Sequence, residues 1–252
     1  MRVLITRPKQ EATNLSSMLE SLGASIELFP TIEIIPTPQS LLLEEAIQSL
    51  STADILIFIS KNAVKYTMPY IKKAWPILPP LQWASIGPGT TTMLLLESST
   101  LPSILRPQNP PYESESLLAL PEFQNIHGKR IIIFRGNGGR DYLPNILMAR
   151  GASVALIETY QRLCPKVDLI SWQSHWRSHP IDIIISTSSE GLTNLMRLMG
   201  SHTPFLKNIP LVIVGLRMFK LARTLGFRDI ILAKGADDLS LVTALKEYWE
   251  FE

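Results

Sequence analysis

The strongest constraint on the fold of this chain is an internal repeat. A shift of 128 residues places like residues on like along most of the sequence. The matches are Arg2 with Arg130, Arg7 with Arg135, Leu15 with Leu143, Leu19 with Leu147, Gly23-Ala24-Ser25 with Gly151-Ala152-Ser153, Asp54 with Asp182, Ser60 with Ser188 and Gly87 with Gly215. Because one shift serves every match without a gap, we interpret the chain as a tandem duplication of a unit of about 125 residues.

The hydrophobic pattern predicts an α/β fold with parallel strands. Short apolar runs alternate with segments of helical period, which is typical of parallel strands joined by helices. The predicted strands are Val3–Thr6, Ser25–Phe29, Ile55–Ile59, Trp83–Ile86, Ser103–Leu105, Arg130–Phe134, Ser153–Ile157, Ile181–Ser186, Leu211–Val214 and Asp229–Leu232. The predicted helices are Ala12–Leu22, Asn62–Lys73, Thr90–Glu97, Leu143–Arg150, Gly191–Met199, Arg217–Leu225 and Leu239–Trp249.

The composition narrows the functional class. A chain of 252 residues with 46% hydrophobic and 18% charged residues is long enough for two globular cores. The net charge of +2 argues against non-specific nucleic-acid binding, which needs a dense basic stripe. The single cysteine, Cys164, forms no internal disulfide or metal cluster, and no apolar run reaches membrane-spanning length. We therefore expect a cytoplasmic protein that has no metal site and binds neither membranes nor nucleic acids.

Two extended segments follow the second strand of each repeat. They cover Thr31–Pro36 and Glu158–Leu163, and the second is followed by Pro165. Both are too long and too apolar for ordinary turns, so we predict that they cross between lobes and pair with each other.

Several motifs occur in one order along the chain. They are Leu4-Ile5-Thr6-Arg7-Pro8, Phe29-Pro30 with Ile32-Glu33-Ile34, Ile59-Ser60-Lys61-Asn62-Ala63-Val64, Ile86-Gly87-Pro88-Gly89-Thr90, Arg135-Gly136-Asn137-Gly138-Gly139-Arg140, Glu158-Thr159-Tyr160, and Ser186-Thr187-Ser188 before Gly191-Leu192. As an ordered set, these motifs resemble the uroporphyrinogen-III synthase family.

The resemblance implies an exchange of segments that the repeat alone does not. In the family, the first strand–helix–strand of each repeat joins the rest of the other repeat. The expected fold is therefore two flavodoxin-like parallel-sheet lobes joined by a two-stranded connector. Lobe one would hold residues 1–34 and 166–252, lobe two residues 38–157, and the connector residues 35–37 and 158–165.

The loops after the strands are the candidate ligand site. Parallel sheets bind ligands beyond the carboxyl ends of their strands, where helix starts, glycines and arginines suit anions. The predicted substrate-binding residues are Arg7, Ser60, Lys61, Asn62, Gly87, Gly89, Thr90, Thr91, Arg135, Gly136, Gly138, Arg140, Ser186, Thr187, Ser188, Gly215 and Arg217.

The resemblance also implies the reaction. The family's substrate, hydroxymethylbilane, is a linear tetrapyrrole with eight carboxylates. It is cyclised to uroporphyrinogen III with loss of water and inversion of the last pyrrole ring. No cofactor is implied, a monomer suffices, and the labile substrate makes a transient handoff from hydroxymethylbilane synthase plausible. Tyr160 matches the tyrosine that the family places on the inter-lobe segment, where its hydroxyl would assist loss of the substrate hydroxyl.

Each assignment has an alternative. Tyr160 is equally consistent with an ordinary packed strand residue, and Ser60 and Ser188 with helix N-caps. Gly87 and Gly89 suit a phosphate as well as a carboxylate. Gly215-Leu216-Arg217 departs from the hydroxyl residues usual in the family after this glycine.

The remaining residues point to structure rather than chemistry. We interpret Trp172 and Trp176 as core residues, Cys164 as inert, and the histidines as surface residues: His127, His175, His179 and His202. For the whole chain, the competing functions are a catalytically inactive tetrapyrrole- or anion-binding module of the same fold and a flavodoxin-like nucleotide enzyme. The second lacks a convincing phosphate loop.

Overall fold

The computed structural model describes residues 1–38, 41–98, 101 and 103–249. Its strands are β1 (Arg2–Ile5), β2 (Ser25–Leu28), β3 (Glu33–Pro36), β4 (Ile55–Phe58), β5 (Gln82–Ser85), β6 (Ile104–Leu105), β7 (Arg130–Gly136), β8 (Ser153–Leu163), β9 (Ile183–Ile185), β10 (Leu211–Val214) and β11 (Ile230–Ala233). The predicted lobes also include residues 39–40, 99–100, 102 and 250–252, which lie outside the described residues.

The helices alternate with the strands. They are α1 (Lys9–Glu20), α2 (Leu41–Gln48), α3 (Lys61–Ala74), α4 (Pro88–Glu97), α5 (Ser114–Leu118), α6 (Tyr142–Ala149), α7 (Leu169–Ser178), α8 (Ser189–Met199), α9 (Thr203–Leu206), α10 (Gly215–Leu225) and α11 (Asp238–Trp249). Within these described ranges, no helix has the length and apolar character that a bilayer crossing requires.

The chain divides into two compact units. Unit 1 consists of Met1–Ile34 and Leu163–Glu252, and unit 2 of Ile35–Arg162. The sheet of unit 1 has the order β11-β10-β9-β1-β2, and the six-stranded sheet has the order β3-β8-β7-β4-β5-β6. Strands β1 and β2 of the first repeat thus lie beside β9–β11 of the second, while β7 and β8 lie beside β4–β6. The prediction of two α/β parallel-sheet lobes is confirmed.

The register within unit 1 explains its core. Strand β1 pairs in parallel with β2 on one side and with β9 on the other, with Val3 opposite Ile26 and Ile183. Successive strand residues point to opposite faces. Val3 and Ile5 therefore belong to the hydrophobic cluster that packs on α1 and α11, whereas Leu4 belongs to the cluster on the other face.

Three aromatic side chains belong to the cluster that contains Leu4. The ring of Phe29 makes edge contacts with Trp172 and Trp176, at centroid distances of 5.0 and 5.2 Å. The i,i+4 spacing of the two tryptophans places both on the same face of α7. They are core residues.

One aspartate contact recurs in both units and fixes the start of the sheet. In unit 1 the Arg2 amide donates to Asp182 Oδ2 at 2.6 Å. In unit 2 the Arg130 amide donates to Asp54 Oδ2 at 2.8 Å. These residues match under the repeat shift, so the same hydrogen bond stabilises the start of a central strand in each unit.

Strand β8 is longer than the sequence pattern predicted. The prediction ended it at Ile157 and assigned the following residues to a linker, but the strand continues to Leu163. Its pairing with β7 shifts register at Arg135 and Gly136, where Arg135 lies opposite Glu158 and Gly136 opposite Tyr160. Thr159 is the extra residue, as in a β-bulge. Helices α2, α5, α7 and α9 also lie outside the predicted helices.

Candidate active site

The bulge in β8 determines where Tyr160 lies. In a regular strand, neighbouring side chains alternate between the two faces. Here Thr159 and Tyr160 are both buried, at 2% and 6% exposure. The register shift sets Tyr160, rather than Thr159, opposite Gly136, and β-bulges are known to re-aim side chains in this way. The Asn137 amide donates to the Tyr160 carbonyl at 3.0 Å and fixes the backbone there.

The Tyr160 ring crosses β7 to reach the end of β4. Its hydroxyl lies 3.0 Å from Oγ of Ser60. The ring passes over Gly136, where a Cβ atom would lie 2.5 Å from Cζ of Tyr160. The rings of Tyr66 and Tyr160 lie at a centroid distance of 6.2 Å with an angle of 29° between their planes. Two hydroxyls thus meet at the carboxyl edge of the sheet.

Ser60 also caps α3. Its Oγ accepts a hydrogen bond from the Ala63 amide at 3.1 Å. This is the helix N-cap that the sequence analysis left open as an alternative. Asn62 is half-buried in the first turn of the same helix.

The start of α4 is shaped by its glycines. A Cβ atom on Gly89 would lie 2.5 Å from Cε of Lys61, so the lysine side chain crosses this glycine. Thr91 Oγ1 lies 2.7 Å from Ser85 Oγ and donates to the Gly87 carbonyl at 3.2 Å. Thr90 and Thr91 are both buried. The threonines stabilise this turn, and Lys61 brings a cation to it.

The glycine-rich turn after β7 is held by Arg135. The residue is 5% exposed, and its Nη1 donates to Asp141 Oδ1 at 3.1 Å. Its Nη2 contacts the Gly138 carbonyl oxygen. Gly139 has a φ of +103°, and a Cβ atom there would lie 2.8 Å from Arg135 Nη2. The guanidinium therefore stabilises the turn through these contacts.

Arg140 lies on the exposed part of the same turn. Its guanidinium forms an ion pair with Glu115 at 2.5 Å. The amide of Glu115 itself and the Arg140 guanidinium lower the pKa of the Glu115 carboxyl. Arg140 is two-thirds exposed and remains accessible to an anion.

Arg7 in unit 1 is the repeat equivalent of Arg135. Its Nη1 donates to Asp238 Oδ1 at 2.6 Å, its Nε donates to Thr187 Oγ1 at 3.2 Å, and its Nη2 contacts the Ala236 carbonyl oxygen. The side chain is 11% exposed. Both repeat-related arginines thus bind groups of their own unit, and the repeat did not predict their acidic partners.

Hydroxyl groups surround Gly191 at the start of α8. Ser188 caps this helix by accepting from the Gly191 amide at 3.0 Å. A Cβ atom on Gly191 would lie 2.9 Å from Ser188 Oγ and 3.2 Å from Thr31 Oγ1. Ser186 is fully buried, and its Oγ has no hydrogen-bond partner among the described residues. Of the predicted run 186–188, Ser188 is therefore the N-cap of α8.

The Gly215-Leu216-Arg217 turn differs from these helix starts. Gly215 has a φ of +76° and begins α10, which has no side-chain cap. Leu216 is 70% exposed, and Arg217 is exposed. The first turn of α10 thus presents its amides beside a cation rather than a hydroxyl.

The histidines are half-buried or exposed. His175 is half-buried, with Nε2 3.0 Å from Glu27 Oε2, while His127, His179 and His202 are exposed. Among the described residues, no group of three acidic, histidine or cysteine side chains is arranged to hold a metal ion.

The chain matches a family model and known proteins that share one description. Residues 13–243 match the family model described as uroporphyrinogen-III synthase HemD. The chain is 37% identical over 251 residues to the uroporphyrinogen-III synthase of Escherichia coli K12, covering 98% of this chain and 100% of that protein. It is 35% identical to the Salmonella typhimurium protein of the same name, with the same coverage.

Solved structures share the fold. A crystal structure of a mutant uroporphyrinogen III synthase from the extremely thermophilic bacterium Thermus thermophilus has a TM-score of 0.64 at 17% identity, with 100% of both chains covered. The uroporphyrinogen-III synthetase of Helicobacter pylori 26695 has a TM-score of 0.62 at 14% identity, covering 98% of this chain and 100% of that one.

Proposed function

The chain belongs to the uroporphyrinogen-III synthase family, and we propose that Tyr160 is the residue that assists its chemistry. The protein is an enzyme of tetrapyrrole biosynthesis, a cyclising lyase that acts on a small-molecule tetrapyrrole. Its proposed substrate is hydroxymethylbilane, and its proposed product is uroporphyrinogen III.

The proposed reaction needs one proton donor and a folded substrate. The C–O bond of the hydroxymethyl group breaks, and the hydroxyl leaves as water when a proton reaches it. The resulting electrophilic carbon is attacked by the substituted carbon of the last ring. The spiro intermediate then fragments and recloses with that ring inverted, and a proton is lost. Holding the chain in the conformer that reacts this way is an orientation effect.

The observation that carries the proposal is the position of the Tyr160 hydroxyl. It lies 3.0 Å from Ser60 Oγ at the carboxyl edge of a parallel sheet, which is where such folds bind ligands. A phenol O–H placed there can donate to the departing oxygen. We therefore assign Tyr160 as the catalytic residue.

Substrate carboxylates would bind at the helix starts. Free amides at the first turns of α3, α4, α8 and α10 favour anions, and the helix dipoles add to this. Lys61, Arg140 and Arg217 add cations at or near these turns. Arg7 and Arg135, which are held by their own units, would orient the loops.

The product isomer tests the function. Hydroxymethylbilane is generated in situ, the protein is added, and the oxidised porphyrins are separated by chromatography. An excess of type III over type I is expected, since the spontaneous closure gives type I without inversion. Type I alone in the presence of folded protein would contradict the proposal and favour a binding module.

A variant tests the assigned residue. Tyr160→Phe removes the hydroxyl and keeps the ring, so we expect slower formation of type III at unchanged folding. An unchanged rate would remove Tyr160 from the mechanism while leaving the enzyme assignment intact.

A further inference from the structure

We propose that Ser60 is a positioning residue for Tyr160: the serine hydroxyl donates to the phenol oxygen and leaves the phenol proton free for the substrate. This inference rests on the catalytic role proposed for Tyr160. It assigns Ser60 a function that differs from direct binding of a substrate carboxylate.

The first step is the hydrogen-bonding capacity of Ser60. A serine hydroxyl has one proton to donate and two lone pairs that accept. Its Oγ already accepts from the Ala63 amide at 3.1 Å, and Tyr160 Oη lies at 3.0 Å. Among the described residues, these are its hydrogen-bond partners. The serine proton therefore has one available acceptor in the protein, which is the phenol oxygen.

The electric field at the start of α3 favours one orientation of the Ser60 hydroxyl. The amino end of a helix carries a partial positive charge. A hydroxyl at the N-cap lowers its energy by turning its oxygen towards the helix and its proton away. Accepting a bond from the Ala63 amide also polarises the hydroxyl and strengthens it as a donor. Both effects favour Ser60 as donor and Tyr160 as acceptor.

The third step is the consequence for the phenol. When Ser60 donates, the phenol proton is not used within the pair and can point to the substrate. As the Tyr160 proton moves towards the leaving hydroxyl, negative charge grows on the phenol oxygen. A donor already in place then stabilises that charge without reorganisation.

Neighbouring groups hold the ring and the backbone of Tyr160 near Ser60. The ring is confined by Gly136 beneath it, where an added Cβ would approach Cζ to 2.5 Å, and by Tyr66 beside it. The backbone of Tyr160 is held by the Asn137 amide at 3.0 Å. The phenol oxygen is therefore kept within reach of Ser60.

Unit 1 supplies an internal comparison. Ser188 matches Ser60 under the repeat shift and caps α8 in the same way, through the Gly191 amide at 3.0 Å. At the position that matches Tyr160, unit 1 has the buried Ile32, which has no hydroxyl. Capping is thus complete without a phenol partner. In unit 2, Ser60 has the hydrogen bond to Tyr160 in addition to its capping bond.

A double-mutant cycle tests the inference. We measure kcat, KM and isomer ratio for Ser60→Ala, Tyr160→Phe and the double variant, with hydroxymethylbilane generated in situ. Ser60→Ala is expected to lower kcat about tenfold with KM unchanged, because a hydrogen bond made in the transition state is lost. In the Tyr160→Phe background, Ser60→Ala is expected to lower kcat no further.

Controls separate positioning from capping. Ser60→Gly removes the same hydroxyl but weakens the cap by only a few tenths of a kcal/mol, so it should reproduce the loss of kcat even if Ser60→Ala folds poorly. Ser60→Thr keeps a hydroxyl and should recover most of the rate. Asp168→Ala removes the cap of α7, where Asp168 Oδ1 accepts from Ile170 and Ser171 amides. It should lower the melting temperature and leave kcat unchanged.

Each outcome has a definite meaning. A Ser60→Ala loss that persists in the Tyr160→Phe background, or that affects KM instead of kcat, would overturn the inference, because Ser60 would then act directly on the substrate. A normal kcat for Ser60→Gly or for Tyr160→Phe would overturn it as well. Only type I product from the unmodified protein would contradict the proposed function itself, and this result is distinct from all the others.

Discussion

The ring of Tyr160 lies so close to Gly136 that position 136 has no room for a side chain. A Cβ atom on Gly136 would lie 2.5 Å from Cζ, 2.6 Å from Cε2 and 3.0 Å from the hydroxyl oxygen. Gly136 is not among the glycines with positive φ, so its backbone does not require glycine. Its lack of a side chain is what allows Tyr160 to cross β7 and reach Ser60.

Gly136→Ala should therefore displace the tyrosine. We expect a loss of type III synthase activity comparable to that of Tyr160→Phe and a destabilisation of about 1–3 kcal/mol from overpacking. Activity assays and urea unfolding measure the two effects. Adding Tyr160→Ala removes the ring and should make Gly136→Ala nearly neutral for stability. Equal costs in both backgrounds would contradict the contact.

Gly191→Ala tests the crowded start of α8. Alanine is favoured over glycine in a helix by up to about 1 kcal/mol. However, its Cβ would lie 2.9 Å from Ser188 Oγ and 3.2 Å from Thr31 Oγ1. Both oxygens are fixed by hydrogen bonds, the first from the Gly191 amide and the second to the Thr6 carbonyl. We expect a lower melting temperature by calorimetry, and an increase would show that helix propensity outweighs the contact.

Asp238→Asn tests whether Arg7 is held by its own unit. The Arg7–Asp238 pair is largely buried, with side-chain exposures of 11% and 22%. Neutralising the aspartate leaves a poorly solvated guanidinium, so we expect a loss of about 1–3 kcal/mol in unfolding free energy. Glu97→Gln is the matched control, because it breaks the Lys72–Glu97 pair, whose side chains are 46% and 31% exposed. That change should cost less than about 1 kcal/mol, and equal costs would refute the distinction.

Asp54 should make stability depend on pH. The hydrogen bond from Lys129 and then the amide of Arg130 lower the pKa of its carboxyl. The ionised form is thus favoured in the folded state, and its stabilisation is complete above the unfolded pKa of about 4. The stabilisation is lost as pH falls through the lower folded pKa.

Asp54→Asn should remove this dependence. Urea unfolding near neutral pH should show the variant to be less stable, and the gap to the unmodified protein should narrow as the solution is acidified. Lys129→Met keeps the amide bond and should cost less than about 1 kcal/mol, because the ion pair is exposed. A gap that stays constant down to the lowest pH at which the protein folds would contradict the role of the carboxylate.

The hydrophobic pattern predicted most of the strands because buried parallel strands are short apolar runs between turns. It stopped β8 at Ile157 because the apolar run ends there and polar residues follow, although the strand continues to Leu163. The repeat identified Arg7 and Arg135 as equivalent. It did not predict their partners, because Asp238 lies 231 residues from Arg7 in the sequence and Asp141 reaches Arg135 only through the conformation of the glycine-rich turn.

The candidate site was predictable as a set of loops but not as a set of contacts. Strand ends and glycines marked the carboxyl edge, and the resemblance marked Tyr160. The partner of its hydroxyl, Ser60, lies 100 residues away in the sequence. Predicting this contact requires the strand order, the bulge in β8 and the space above Gly136. None of these can be read from the local sequence around a single residue.

The exchange of strands between the repeats also sets an order of events during synthesis on the ribosome. Unit 2 is one continuous segment, so it can fold as soon as Arg162 has left the exit tunnel. Strand β1 must wait for β9, which is made about 180 residues later, before its open edge is covered. During that interval β1 is an apolar strand with one unpaired edge, and this is the stage at which we expect chaperones to engage it.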